Sequence, residues 1–230
     1  MFTRVLRRLF PAPTPPTLPS LEAYQRWAAA YPPHAHNALM QAEQAAMEQL
    51  LLPLAGKVVL DLACGTGRHG LLARDAGAQT VIGVDNSAAM LRQNPLLLIA
   101  LATTEAIPLS GESVDVVLCG LALGHLPQLK PSLVEISRVL KPGGYALISD
   151  FHPFIFLNGQ RRTFTAPDGM TFAVEHYAHL YADYHAGAQA ADLSVEQVLE
   201  PRLGEDKTVR FAGETVPGTP VVITYRLRKR

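Results

Sequence analysis

The stretch Lys57–Gly70, KVVLDLACGTGRHG, constrains the fold more than any other part of the chain. Its short run of Val and Leu, apolar at successive positions, reads as a strand buried on both faces of a parallel sheet. The run passes into Gly65, Gly67 and Gly70, spaced G-x-G-x-x-G, and then into a helical pattern with Gly77 as its stop signal. Strand, glycine turn and helix open a βαβ unit whose turn takes a ligand. Asp61 complicates the simplest meaning of that turn. A dinucleotide lays its pyrophosphate on the helix N-terminus, and a carboxylate at the end of the preceding strand is an awkward neighbour for it.

The alternation continues to Asp150. TVIGVD is a second strand ending in Asp85, and SAAMLRQ a short helix opened by Asn86 or Ser87. LLLIALA holds a third strand and SVDVVLCG a fourth. PQLKPSLVEISRVLKPGG is a helix closed by Pro142 and Gly143, and YALISD a fifth strand. Right-handed crossovers then give an α/β fold: a Rossmann-like, doubly wound sheet, mostly parallel, with helices on both faces. After Asp150 the pattern changes to a hairpin with Asp168-Gly169 in its turn, a helix over LYADYHAGAQAAD, and two late strands, LSVEQVLEP and VVITYRLR, the last antiparallel. Upstream, Ser20 caps a helix through LEAYQRWAAAY and Asn37 caps one through ALMQAEQAAMEQLL. The organisation expected is a flexible basic, Pro-rich arm (1–20), cap helices (21–55) and the main domain (56–230), with a hairpin or cap insertion at about 152–185.

Composition narrows the function classes. Apolar residues make up 48% and charged residues 17% of 230, enough for one well-buried α/β core. Lys+Arg and Asp+Glu are both 20, so there is no basic excess of the kind nucleic-acid binding uses. No apolar run reaches the roughly 18 residues of a membrane span. Cys64 and Cys119 lack metal-ligand spacing and read as buried free thiols in a reducing, cytoplasmic setting. Arg4, Arg7 and Arg8, with no acid among the first ten residues, resemble an organelle transit segment, but are read as part of the surface arm.

S-adenosylmethionine (SAM) differs from a dinucleotide in carrying no phosphate. Its sulfonium and ammonium groups make Asp61 a favourable neighbour, and Asp85 suits the ribose hydroxyls of either ligand. VLDLACGTGRHG, VIGVDNSAAML, TTEAIPLSGESVDVVLCGLALGHL and EISRVLKPGGYALISD occur in that order. Together they resemble the class I SAM-dependent methyltransferases of the type-11 branch, which includes quinone C-methyltransferases and malonyl-acyl-carrier-protein O-methyltransferase. The resemblance covers roughly residues 56–150. It implies that Asp61, Ala63, Gly65 and Gly67 line the methionine part of SAM and that Asp85 holds the ribose. It further implies that Asn86, Met90, Thr104 and Glu105 surround the adenine and that Leu121 faces the sulfonium. Ala63 stands where many members have glycine. Thr103 stands where the branch often has an aspartate that meets the adenine amine.

His125 follows the fourth strand and His152 the fifth, at the edge where ligands sit in open α/β sheets. Both are candidate bases or substrate contacts, set against structural roles at strand ends. Glu175, His176 and His179 do not form a zinc pattern, so no metal is expected, and a pocket wall is their functional alternative. Arg161 or Arg162 is a candidate carboxylate clamp, and Tyr24, Trp27 and Tyr31 are candidate lid residues. The reading is transfer of a methyl group from SAM to a small-molecule or acyl-carrier-bound acceptor, at oxygen or carbon, by a monomer or homodimer without nucleic acid. An NAD(P)-dependent reductase and a non-catalytic SAM-binding protein remain as alternatives.

Overall fold

Strands that are apolar on both faces need helices on each side, and the chain supplies them in alternation. The computed structural model describes residues 14–203 and 218–230; the arginines near the start of the chain lie outside them. In chain order the elements are β1 (Thr17–Leu18), α1 (Ser20–Trp27), α2 (Ala38–Leu50), β2 (Val58–Leu62), α3 (Arg68–Asp75), β3 (Thr80–Asp85), α4 (Ala88–Leu91), β4 (Leu98–Leu101) and β5 (Val114–Gly120). They continue with α5 (Lys130–Val139), β6 (Leu140–Phe151), α6 (Pro153–Leu157), β7 (Thr163–Thr165), β8 (Thr171–Val174), α7 (Tyr181–Ala190), β9 (Leu193–Leu199) and β10 (Val222–Lys229).

The main sheet has the order β4-β3-β2-β5-β6-β10-β9. Its first five strands are mutually parallel, and β10 runs antiparallel to both of its neighbours. This is the mostly parallel, doubly wound sheet with a late antiparallel strand that the sequence pattern implies. On one face, Met47 and Leu50 of α2 and Ala73 of α3 pack with Val59, Val116 and Leu147. On the other, Leu133 and Ile136 of α5 and Tyr184 of α7 pack with Leu60, Val117 and Ile148. Strand order reverses between β2 and β5, which opens a crevice at their carboxyl ends, where ligands bind in such sheets. No helix among the described residues is long and apolar enough to cross a membrane.

Local signals explain most boundaries. Asn37 Oδ1 accepts the Met40 N–H at 2.9 Å, and Ser87 Oγ accepts the Met90 N–H at 3.3 Å. Ser20 does not cap α1. It is the first helical residue, behind Pro19. Helix α5 stops at Val139, and Pro142 and Gly143 fall inside β6, where its register with β5 shifts between Val114 and Val116. The Pro-rich stretch also contributes a strand. Two carbonyls, of Pro16 and Leu18, accept the N–H groups of Ala173 and Glu175, each at 2.9 Å. Proline lacks only the donor, so it can serve a sheet edge in this way.

A three-stranded sheet, β1-β8-β7, lies apart from the main one. Its hairpin turns at Gly169, where φ is +82°, and Asp168 Oδ1 accepts the Met170 N–H at 2.9 Å. Phe164 of β7 stacks on Trp27 of α1 with ring centroids 5.0 Å apart, and Ala23, Phe172 and Val174 close the cluster. This small layer ties α1 to the hairpin.

Candidate active site

The crevice between β2 and β5 widens into a cavity of about 1070 Å³, part of it open to solvent. Its floor is the turn after β2. Ala63, Gly65 and Gly67 all have positive φ, at 55°, 52° and 92°. Only glycine takes that conformation without a Cβ penalty, so Ala63 carries roughly 1 kcal/mol of strain relative to glycine. At Gly67 a Cβ would also strike Asn94 Oδ1 at 2.6 Å. Asn94 braces the turn from outside, donating to the Gly65 carbonyl at 3.0 Å and accepting the Leu96 N–H at 2.9 Å. Gly70 admits close helix–strand packing, since a Cβ there would meet Asp61 Oδ2 at 2.9 Å.

Two carboxylates are built into this floor. Asp61 Oδ2 accepts the Gly70 N–H at 2.7 Å, inside the first turn of α3. Asp85 Oδ2 accepts the Gly65 N–H at 2.8 Å, and its Oδ1 accepts the Ser87 N–H at 2.7 Å. Burial pushes the Asp61 carboxyl up to about 6 and also raises that of Asp85. The walls are formed by Asn86, Met90, Thr103, Thr104 and Glu105 on one side and by Leu121 and Ala122 on the other. Thr104 spends its hydroxyl on Ser132 Oγ, 2.7 Å away in α5. Leu121 is also strained, with φ of 56°, and is pinned through its N–H to the Ser149 carbonyl at 2.9 Å. Of the cofactor residues expected from sequence, Ala63, Gly65, Asp85, Asn86, Met90, Thr104, Glu105 and Leu121 line one cavity. Asp61 and Gly67 shape the turn from behind.

The two histidine candidates separate. His125 lines the cavity, but both ring nitrogens are engaged: Nδ1 is 2.7 Å from the Glu175 carbonyl and Nε2 is 3.0 Å from the Tyr24 hydroxyl. A carbonyl can only accept, so Nδ1 carries the proton and Nε2 receives the phenol. Burial, reinforced by the Arg162 charge, drives the His125 pKa down to about 3. It is a neutral acceptor and a weak base. His152 is fully buried and does not line the cavity. Its Nδ1 accepts the Phe154 N–H at 3.3 Å, capping α6, and its Nε2 lies 2.9 Å from Glu200 and 3.0 Å from Tyr181. The strand-end rule places it at the correct edge, and the cap turns its ring away from the site.

Beneath the far wall, Glu43 of α2 is fully buried. It receives Arg68 Nη1 at 2.6 Å and the Ser149 hydroxyl at 2.5 Å, and His69 Nε2 lies 3.1 Å away without hydrogen-bond alignment. Above the cavity, Ser20, Leu21, Tyr24 and Tyr31 come from the N-terminal segment and Arg162 from the loop before the hairpin. Arg162 Nη2 donates to the Tyr31 hydroxyl at 3.0 Å, and the guanidinium lies over Tyr24, Trp27 and Phe151 at 5.3 to 5.5 Å.

Comparison with known proteins agrees with this geometry. The family described as "Methyltransferase domain" matches residues 60–148, from β2 through β6. Residues 60–148 thus carry the sequence pattern of a methyltransferase domain. The ubiquinone/menaquinone biosynthesis C-methyltransferase UbiE of Syntrophotalea carbinolica is 39% identical over 116 residues, which are 46% of this chain and 48% of that protein. The chain thus spans about half the length of the curated relatives it matches. A putative SAM-dependent methyltransferase from Listeria monocytogenes superposes with a TM-score of 0.65 at 22% identity, over 83% of this chain and 99% of that one. The [4+2]-cyclase SpnF does so with a TM-score of 0.65 at 15% identity, over 94% and 97%. At such identities these two likenesses speak for the fold alone.

Sequence reasoning does not pick out Asn94 or Glu43. For Glu43 a signal exists. It lies on the stripe of Met40, Met47 and Leu50 that α2 turns toward the sheet, and an acid on an apolar stripe calls for a buried partner. Asn94 gives no such signal. Its role depends on a loop folding back 30 residues onto Cys64.

Proposed function

We propose that this chain transfers the methyl group of SAM to a small-molecule or carrier-bound acceptor, at oxygen or carbon. One observation carries the reading. The N–H groups that a pyrophosphate would use at the glycine turn are already taken by the chain's own carboxylates, Gly65 by Asp85 and Gly70 by Asp61. Arg68, the cation beside the turn, is spent on Glu43. At the turn itself a dinucleotide would meet two acids, with the adjacent cation already paired. A ligand with a ribose diol, a sulfonium and no phosphate meets what it needs.

The residues fit that ligand in detail. In this reading Asp85 accepts both ribose hydroxyls on its remaining lone pairs while it holds the turn. Ala63 and Gly65 allow close backbone approach. Met90, Ala102, Thr103 and Thr104 offer the flat wall for the base. SAM supplies an activated methyl group, so the chain's task is alignment and exclusion of water. Tyr24, Leu21 and Arg162 cover that end of the cavity. The UbiE relative's name supports a quinol ring carbon as one acceptor class.

Calorimetric titration with SAM, S-adenosylhomocysteine and NADPH tests the reading. Micromolar binding of the first two and none of NADPH is expected, and binding of NADPH alone overturns it. Because a cyclase also has this fold, turnover is read separately, as label transferred from methyl-labelled SAM. Thr103→Asp provides a finer check. Thr103 lines the cavity beside the base wall, and a carboxylate there accepts the adenine amine better than a hydroxyl. S-adenosylhomocysteine affinity should rise by roughly three- to tenfold, the gain of one charge-assisted hydrogen bond at a partly solvated site. Unchanged affinity would remove the base from this wall.

A further inference from the structure

We infer that a second, smaller cavity beside the first receives a carboxylate of the methyl acceptor, with Arg162 as its anchor. The inference rests on the reading of the large cavity as the SAM site. The second cavity spans about 300 Å³, part of it open to solvent, and its enclosed part has room for little more than a water-sized polar group; it is lined by Phe151, Ile155, Phe156, Arg161, Arg162 and His176, among others. Arg162 lines both cavities, so a molecule anchored on it reaches toward the end of the large cavity where Leu121, Ala122 and His125 stand.

The charge of Arg162 is unanswered. No carboxylate lies within 4.0 Å of Arg161 or Arg162 among the described residues, whereas Arg26, Arg68, Arg74, Arg138, Arg226, Arg228 and Arg230 each have one. Nη2 is used by Tyr31, but Nη1 is buried and finds no hydrogen-bond partner among the described residues. Asp150 acts on the guanidinium only at longer range, and its own oxygens are taken by the Tyr184 hydroxyl and the Phe151 N–H, both at 2.8 Å. Three aromatic faces soften the burial of the cation, but they do not supply the missing acceptor. Burying an unpaired guanidinium is costly unless a counter-charge completes it.

A second polar atom lacks a partner at the same place. His176 Nδ1 is buried with no hydrogen-bond partner among the described residues, and its ring packs against Phe151 and Phe156, each with centroids 5.4 Å away. Arg161 lies over Phe156 at 5.2 Å. The cavity therefore offers two guanidiniums, one open imidazole nitrogen and aromatic walls. That combination suits a carboxylate group, with the apolar or aryl body that carries it extending toward the large cavity that Arg162 also lines. The anchor is also rigid, because the Arg162 carbonyl accepts the Val174 N–H at 2.8 Å.

The test is calorimetry and saturation-transfer NMR on the full chain loaded with S-adenosylhomocysteine. The probes are benzoate, 3-phenylpropanoate and hexanoate, each paired with its neutral amide. At least one acid should bind with an affinity about tenfold or more above its amide, the discrimination expected of a buried charged donor. Arg162→Met should lose about tenfold for that acid, and Arg162→Lys should recover only part, since a point charge cannot replace the planar fork. If no acid binds, or if acid and amide bind alike, the inference is overturned. That acid-to-amide comparison is made on the natural chain, so it decides even if Arg162→Met does not fold. Failure of S-adenosylhomocysteine itself to bind strikes the proposed function instead.

Discussion

Asp85→Ala should weaken S-adenosylhomocysteine binding by about 100-fold or more. The carboxylate is asked to do two things. It offers charge-assisted acceptors to a ribose diol, and such bonds are worth about 1.5–3 kcal/mol each. It also holds the Gly65 N–H at 2.8 Å and the Ser87 N–H at 2.7 Å, so its loss relaxes the turn and the first turn of α4 together. About 1.4 kcal/mol corresponds to a factor of ten in affinity, and two bonds alone therefore reach the 100-fold range. Asp85→Asn keeps one acceptor and should lose less. Burial raises the Asp85 pKa, so in the free protein the carboxylate protonates at a higher pH than an exposed aspartate does. Binding should accordingly weaken on acidification earlier than an exposed acid predicts. Calorimetry of the two variants at neutral pH checks the ranking. If Asp85→Ala binds within threefold of the natural chain, the ribose does not sit on Asp85.

Much of this site is legible in the sequence because its determinants are local to short windows at the strand ends. A strand period, positive-φ glycines and an acid at each strand end are properties of neighbours in sequence. The parts that sequence reasoning places poorly depend on distance along the chain. Tyr24 meets His125 across 101 positions, Ser149 meets Glu43 across 106, and Arg162 meets Tyr31 across 131. No periodicity announces such contacts. His152 illustrates a different limit. Its position at the carboxyl end of β6 is what a site histidine should have, but the free N–H at the start of α6 competes for its ring and wins. Backbone groups at a buried helix start must be satisfied, and that demand is invisible until the helix is located. Ala63 shows strain that sequence reasoning could register only as a departure from glycine. The structure gives it a cause in the left-handed φ of 55°.

Glu43→Ala should destabilise the fold by roughly 3–5 kcal/mol, because it strands Arg68 as a buried charge without its partner. For a chain of this size that corresponds to a fall in Tm of roughly 6–20 °C. Removing both partners, as in Glu43→Leu with Arg68→Met, should recover most of the loss, since apolar groups of similar volume leave nothing unpaired. The same glutamate makes a prediction about pH. Burial alone pushes its carboxyl up, but His69, Arg68 and the Ser149 hydroxyl outweigh it and hold the pKa down to about 2, against 4.5 for the free side chain. A carboxyl depressed in the folded state contributes stability that is complete above its unfolded value. That contribution is lost as pH falls through the folded one. The Tm gap between the natural chain and Glu43→Gln should therefore be full at pH 7 and shrink progressively from pH 4.5 toward 2. A gap that stays constant across that window would mean that the network is held by shape and not by charge. The consequence reaches the site as well. Arg68 and His69 both line the cavity, and Gly120 is a glycine because a Cβ there would collide with the His69 ring. Released from Glu43, Arg68 becomes a free cation beside the glycine turn, and the charge pattern that disfavours a phosphate there is weakened. Glu43→Ala should thus narrow the preference for S-adenosylhomocysteine over NADPH even in the fraction that remains folded.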